Sequence, residues 1–234
     1  MKINFSLIND FVSLVFPRVC VACNISLFKH EFYLCSYCKN NLPKANFHKS
    51  ELSSVHKALY GRVPLIGAAS YYLFSKNSKV QHVLHHVKYR NGKDLAVKIG
   101  EWMGYELNKH TWINSIDALV PIPLHPKKQI ERGYNQSEQY AIGLSKETNI
   151  KVIQTLNKTI YTSSQTKKNR LARWENVKDN FSIQADTLNL NHIALIDDVI
   201  TTGATIEAAY QALVNSGYSG KISVVSIAYA SDLI

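Results

Sequence analysis

Residues 193–205, IALIDDVITTGAT, leave few folds open to this chain. An apolar run stops at two adjacent acids, Asp197 and Asp198. Three threonines, a glycine and an alanine follow, and then a helical periodicity begins. The pattern predicts a buried strand, a tight turn and the start of a helix. Neighbouring carboxylates repel each other, more so beside a low-dielectric core, so a ligand must make the pair worthwhile. Gly203 permits the turn. Thr201, Thr202 and Thr205 offer hydroxyls, and the helix start offers free N–H groups, which together suit a phosphate. The stretch is neither a Walker A loop nor a GxGxxG loop. Carboxylates repel phosphate, so Asp197 and Asp198 should face the vicinal hydroxyls of a sugar whose 5-phosphate lies in the loop. The plainer alternative is a strand–turn–helix with a threonine-rich cap and no ligand.

The surrounding chain fits such a strand. Strand patterns at 67–74, 115–124, 151–156, 192–199 and 221–230 alternate with helical patterns at 80–89, 94–110, 137–149 and 205–218. This alternation predicts an α/β domain with a largely parallel sheet flanked by helices. Ligands of such sheets lie beyond the carboxyl ends of the strands, where the acid pair falls. His82, His85 and His86 share one helical stretch and lack further ligands in sequence, so they read as a solvated face.

All four cysteines lie in one short segment, as CVAC (Cys20, Cys23) and CSYC (Cys35, Cys38), with eleven residues between the pairs. Two CxxC knuckles in series suit a structural tetrahedral Zn2+ site, whose metal replaces a core that so few residues cannot build. Two disulfides or a redox CxxC are the competing readings. The polar stretch 39–57 reads as a connection, which divides the chain into residues 1–60 (helix, zinc module and linker) and 61–234 (the α/β domain).

The net charge is +10, from 27 Lys and Arg against 17 Asp and Glu among 234 residues. Such a balance suits phosphate-bearing partners, or reflects a basic composition alone. No apolar run is long enough to span a membrane. The first 15 residues read as a short amphipathic helix (Phe5, Ile8, Phe11, Val12 and Val15 on one side) rather than a signal peptide, and the expected location is cytoplasmic.

Leu195 to Thr205 closely resembles the 5-phosphoribosyl 1-pyrophosphate (PRPP) signature of type I phosphoribosyltransferases. CVAC…CSYC, HHVKYRNGK, VPIPLHPKKQIERGYNQ, TSSQ…RWENV and the PRPP signature, in that order over nearly the whole chain, resemble the ComF family. That resemblance implies a zinc ribbon joined to a phosphoribosyltransferase-like domain, and an association with DNA uptake and natural competence or nucleotide metabolism. It implies that Asp197, Asp198 and Arg132 carry the chemistry. Lys88, Asp197, Asp198, Thr201, Thr202, Gly203, Ala204 and Thr205 would bind PRPP, with Mg2+ as its companion. Pro121 to Gln136, with the Arg132–Gly133 step, would include the pyrophosphate loop. Residues 160–180, with Gln165, Arg173 and Asn176, would form a mobile loop over the site. Lys158 and Ile160 stand where the family pattern leads one to expect arginines. The acceptor has no signature. Two other readings stay open: a non-catalytic PRPP sensor, and an accessory protein for single-stranded DNA, using Lys167, Lys168, Arg170 and Trp174 beside a DNA-uptake helicase or other competence proteins.

Overall fold

A computed structural model describes residues 16–45, 53–158, 181–184 and 188–230. The expected N-terminal helix and all of the 160–180 loop lie outside the described residues. Four strands form one parallel sheet in the order β1 (Leu65–Phe74), β6 (Lys221–Ala230), β5 (His192–Ile200), β2 (Ala118–Pro121). The interior strands are apolar on both faces because helices cover both. Along β5, Ile193 and Leu195 enter one apolar cluster and Ala194 and Ile196 the other. Along β6, Ile222 and Val224 oppose Val225 and Ile227 in the same way.

On one face pack α3 (Lys79–Tyr89), α4 (Lys93–Leu107) and α6 (Gln136–Thr148), through Val83, Val87, Ile99, Met103, Tyr140 and Leu144. Helices α4 and α6 touch backbone to backbone. A methyl group on Gly143 would overlap the Val97 carbonyl, and one on Gly100 would overlap the Tyr140 carbonyl. The other face is covered by α2 (Ser54–Leu59), α7 (Ala204–Asn215) and a small antiparallel pair, β3 (Leu156–Lys158) with β4 (Phe181–Ile183).

The structure departs from the sequence reading in four places. Strand β2 covers four residues rather than ten, because a 3-10 helix (Thr111–Ser115) precedes it and Pro123, without an N–H, cannot extend its ladder. Within 151–156 only Val152 pairs with β2, through one bridge to Leu119, before the chain leaves the sheet to enter β3. The stretch 39–57 is not merely a connection: Lys44 bridges Tyr72 of β1, while Val55 and Leu59 of α2 are fully buried. A short helix, α5 (Pro126–Arg132), occupies what reads as a loop in sequence. His125 caps its start, Pro126 opens its first turn, and Gly133 closes it in the left-handed region (φ 80°).

The cysteine segment carries one short helix, α1 (Ser36–Asn41). Cys20, Ala22, Leu34, Cys35, Cys38 and Leu42 belong to the apolar cluster that also holds Tyr71, Tyr72, Val80 and Val83. The module is therefore docked on β1 and α3. Among the described residues no helix is long and apolar enough to cross a membrane.

Candidate functional site

The carboxyl ends of β2 and β5, the last turn of α3, helix α5, the start of α6 and β3 surround one polar cavity of about 180 Å3. Asp197 and Asp198 lie on its wall with Lys88, Lys128, Arg132, Ser137, Lys158 and Thr205. The charged residues of the sugar-phosphate reading (Lys88, Arg132, Asp197 and Asp198) thus meet in one place. The register that puts Asp197 opposite Ser226 and Ile196 opposite Pro121 sets the acids at the rim.

The acids have different partners. Asp198 pairs with Lys88 at 3.0 Å, their side chains 15% and 24% exposed. Asp197 accepts the Asp198 backbone N–H at 2.8 Å and the Ser137 hydroxyl at 3.4 Å. Burial, and then repulsion from Asp198, push the Asp197 carboxyl up to about 7, against the pull of that N–H and of Lys88 and Lys158. A group raised from an unfolded value near 3.8 binds more protons in the native state between those two pH values. Native stability therefore falls as pH rises from about 4 to 7. Asn at 197 keeps the acceptor oxygen and removes the charge. In metal-free buffer Asp197→Asn should raise the unfolding free energy on the order of 2 kcal/mol above pH 7, and by nothing near pH 4. A difference that does not change with pH across melting curves would contradict this assignment.

The loop after β5 is held from below. Gly203 has φ 78°, and a methyl group there would lie 2.5 Å from Leu59 Cδ2 of α2. Both the backbone region and the close approach require glycine. Arg62 donates to the Thr202 carbonyl at 2.6 Å, to Glu207 at 2.7 Å and to the Ala58 carbonyl, tying loop, α7 and α2 together. The N-cap Gly203 has no side chain to cap α7; the Ala204 N–H donates to the Thr202 hydroxyl at 3.4 Å, and Thr201, Thr202, Ala204 and Thr205 are all exposed. This is the geometry of an anion seat.

On the opposite wall, Asn135 caps α6 through Ser137 N–H and donates to the Ile122 carbonyl at 3.0 Å, fastening the α5–α6 turn to the end of β2. Tyr134 donates to the Val87 carbonyl, fastening the turn to α3. Lys158 reaches the cavity from β3, with its ammonium 5.6 Å from the centre of the Phe181 ring. Burial lowers its pKa, offset in part by Asp197. Lys158, which stands where the family pattern leads one to expect arginine, thus lines the cavity wall. Sequence reasoning did not find Lys128, Ser137, Arg62 or Leu59. Arg62 and Leu59 act from over 140 residues away and have no local signal.

The four cysteine sulfurs lie within 4.8 Å of one another, and none forms a disulfide. Cys23 Sγ and Cys35 Sγ are 3.8 Å apart. Four thiolates at about 2.3 Å from one ion in a tetrahedron are separated by about 3.8 Å, so the donor set fits a metal. Burial raises the Cys20 thiol, but backbone N–H bonds from Cys35, Cys23 and Ala22 outweigh it and bring it down to about 7. Burial pushes the Cys38 thiol up. Glu31 braces the second knuckle by accepting Ser36 N–H (2.6 Å), Ser36 Oγ (2.7 Å) and Phe28 N–H (2.9 Å). The Ser36 hydroxyl and these amides hold its carboxyl at about 2. Of the three histidines, His82 lies 3.1 Å from the Ala22 carbonyl and His85 packs on Tyr89. They join no metal cluster among the described residues.

No protein-family model matches the chain. It is 33% identical over 93 residues to "Competence protein F" of Haemophilus influenzae, covering 38% of this chain and 41% of that protein. It is 26% identical over 209 residues to "Competence protein ComFC" of Bacillus subtilis, 84% of each chain. It is 23% identical over 219 residues to "DNA utilization protein YhgH" of Escherichia coli K12, 87% of this chain and 94% of that one. The match thus spans under half of the first relative and most of the other two. Similar solved structures include glutamine PRPP amidotransferase of B. subtilis (TM-score 0.43, 16% identity, 62% of this chain and 30% of that one). Another is adenine phosphoribosyltransferase of Leishmania tarentolae (TM-score 0.36, 11% identity, 58% and 70%). The chain thus joins a parallel sheet, with the acid-pair loop at its carboxyl edge, to a four-cysteine module, and along most of its length it is similar to competence and DNA-utilization proteins.

Proposed function

We propose that the cavity at the end of β5 binds PRPP with Mg2+, and that the chain transfers the phosphoribosyl group to an acceptor. The supporting observation is the pairing of two unlike sites on one wall: the acids Asp197 and Asp198, the latter paired with Lys88, and the threonine-rich start of α7 at Thr205. Ribose hydroxyls donate to the acids, and the 5-phosphate accepts from the amides and hydroxyls of residues 201–205. Arg132 and Lys88 lie where charge collects on a departing pyrophosphate. In the transfer, a bond forms from the acceptor nucleophile to the anomeric carbon as the bond to the pyrophosphate oxygen breaks. The electron pair leaves with pyrophosphate, and the acceptor gives up its proton. The two carboxylates are donors of the kind Mg2+ takes, and when bound the ion supplies charge neutralisation for the pyrophosphate.

The cysteine module fits Zn2+, which takes four thiolates in a tetrahedron, and the role is structural because such a set leaves no open position for catalysis. We retain the division into a module in residues 1–60 and a ligand-binding domain in 61–234, with α2 packed on the latter. The relatives' names, competence and DNA-utilization proteins, support a role in DNA uptake; a cytoplasmic location, and single-stranded DNA and other competence proteins such as a DNA-uptake helicase as partners, belong to this proposal.

Calorimetric titration of the metal-loaded protein with PRPP and Mg2+ tests the reading. Binding should weaken at least about tenfold in Asp198→Asn, which loses the partner of Lys88. Binding without pyrophosphate release in an acceptor screen would identify a sensor. No binding by the intact protein would remove the PRPP reading and leave DNA binding to explain the charge.

A further inference from the structure

Arg132 is the cation of the cavity whose direction is most fully specified. Its Nη1 donates to Gln136 Oε1 at 3.0 Å. Its Nη2 reaches the Tyr89 hydroxyl at 3.4 Å, and its guanidinium stacks 5.2 Å from the centre of the Tyr89 ring. Gln136 is 1% exposed, yet its Nε2 has no hydrogen-bond partner among the described residues. An unpaired buried amide N–H costs about 1–3 kcal/mol, so the glutamine is a poor choice for stability alone. An apolar side chain of the same length would pack there without that cost. Tyr89 is 57% exposed and contributes little to the core. Both residues thus act on Arg132 rather than on the fold. Arg132 in turn follows one rigid turn, because Gly133 ends α5 and Asn135 fastens the start of α6 to Ile122.

We propose that Gln136 and Tyr89 are positioning residues that hold the Arg132 fork toward the pyrophosphate end of the ligand, and so make the site select a sugar phosphate bearing pyrophosphate over ribose 5-phosphate. The inference rests on the PRPP reading and deepens it. A planar fork held at two edges and one face loses little freedom on meeting a diphosphate. A free arginine would have to be ordered by the ligand itself.

The test compares two ligands, PRPP and ribose 5-phosphate, both with Mg2+, on the full-length metal-loaded protein. Gln136→Met removes the acceptor for Arg132 together with the orphaned N–H. It should melt at or above the wild-type temperature, yet bind PRPP about tenfold more weakly, with ribose 5-phosphate affinity unchanged. Tyr89→Leu, at an exposed position, should show the same split, and Tyr89→Phe should recover most of it by restoring the stacked ring. Equal losses for both ligands, or no loss, would overturn the proposal, as would a lowered melting temperature in Gln136→Met without a PRPP-specific loss in Tyr89→Leu. A wild-type protein that binds neither ligand would instead refute the PRPP reading itself.

Discussion

Cys38→Ser should release the metal and unfold the cysteine module, and the loss should reach the ligand cavity. Cys38 is 1% exposed and sits on α1, whose six residues cannot hold a helix alone. Four thiolates contribute on the order of 10 kcal/mol to a site of this kind, and no apolar core within residues 20–42 can replace that. The apolar residues of the module close one cluster with Tyr71, Tyr72, Val80 and Val83. Unfolding it exposes one side of α3, the helix whose last turn carries Lys88. Metal content should fall from one equivalent to none, the melting temperature should drop by about 10 °C or more, and PRPP affinity should fall with it. A variant that keeps stoichiometric metal and the wild-type melting curve would exclude the four-thiolate site.

The second large effect lies far from any ligand. Alanine for glycine inside an exposed helix ordinarily stabilises by up to about 1 kcal/mol. Gly143→Ala should reverse that sign and destabilise by about 3 kcal/mol in chemical denaturation. The new methyl group would overlap the Val97 carbonyl and press on Gly100 Cα, which are rigid backbone rather than movable side chains. Helix α6 would have to lift from α4, moving Ser137 at its other end away from Asp197. An unchanged denaturation midpoint would mean that the two helices pack less closely than described.

The parts of the site that could be read along the chain are local. Two acids after an apolar run, a glycine at the turn and threonines at a helix start occupy consecutive positions, so strand, turn and helix periodicities place them together. Two CxxC pairs carry their own ligand spacing in the same way. Arg132 and Lys88 needed a family pattern, since nothing in either short stretch points at β5. Helix α5 was not visible because its seven residues include no buried side chain, so no apolar stripe marks it.

By itself, then, the sequence determined the alternation of strands and helices, the buried character of β5 and β6, the acid-pair loop and the four-thiolate cluster. Each depends on residues within one or two turns of one another. Tertiary structure alone decided the strand order β1-β6-β5-β2, the docking of the cysteine module on β1 and α3, and the brace of Gly203 by Leu59 and Arg62. It also decided that Lys158, Ser137 and Arg132 converge on the cavity and that Tyr89 meets Arg132 beside it. These contacts join residues tens to more than a hundred positions apart. Only the shared need of several elements to bury their apolar faces on one sheet brings them together, and no local periodicity records that need.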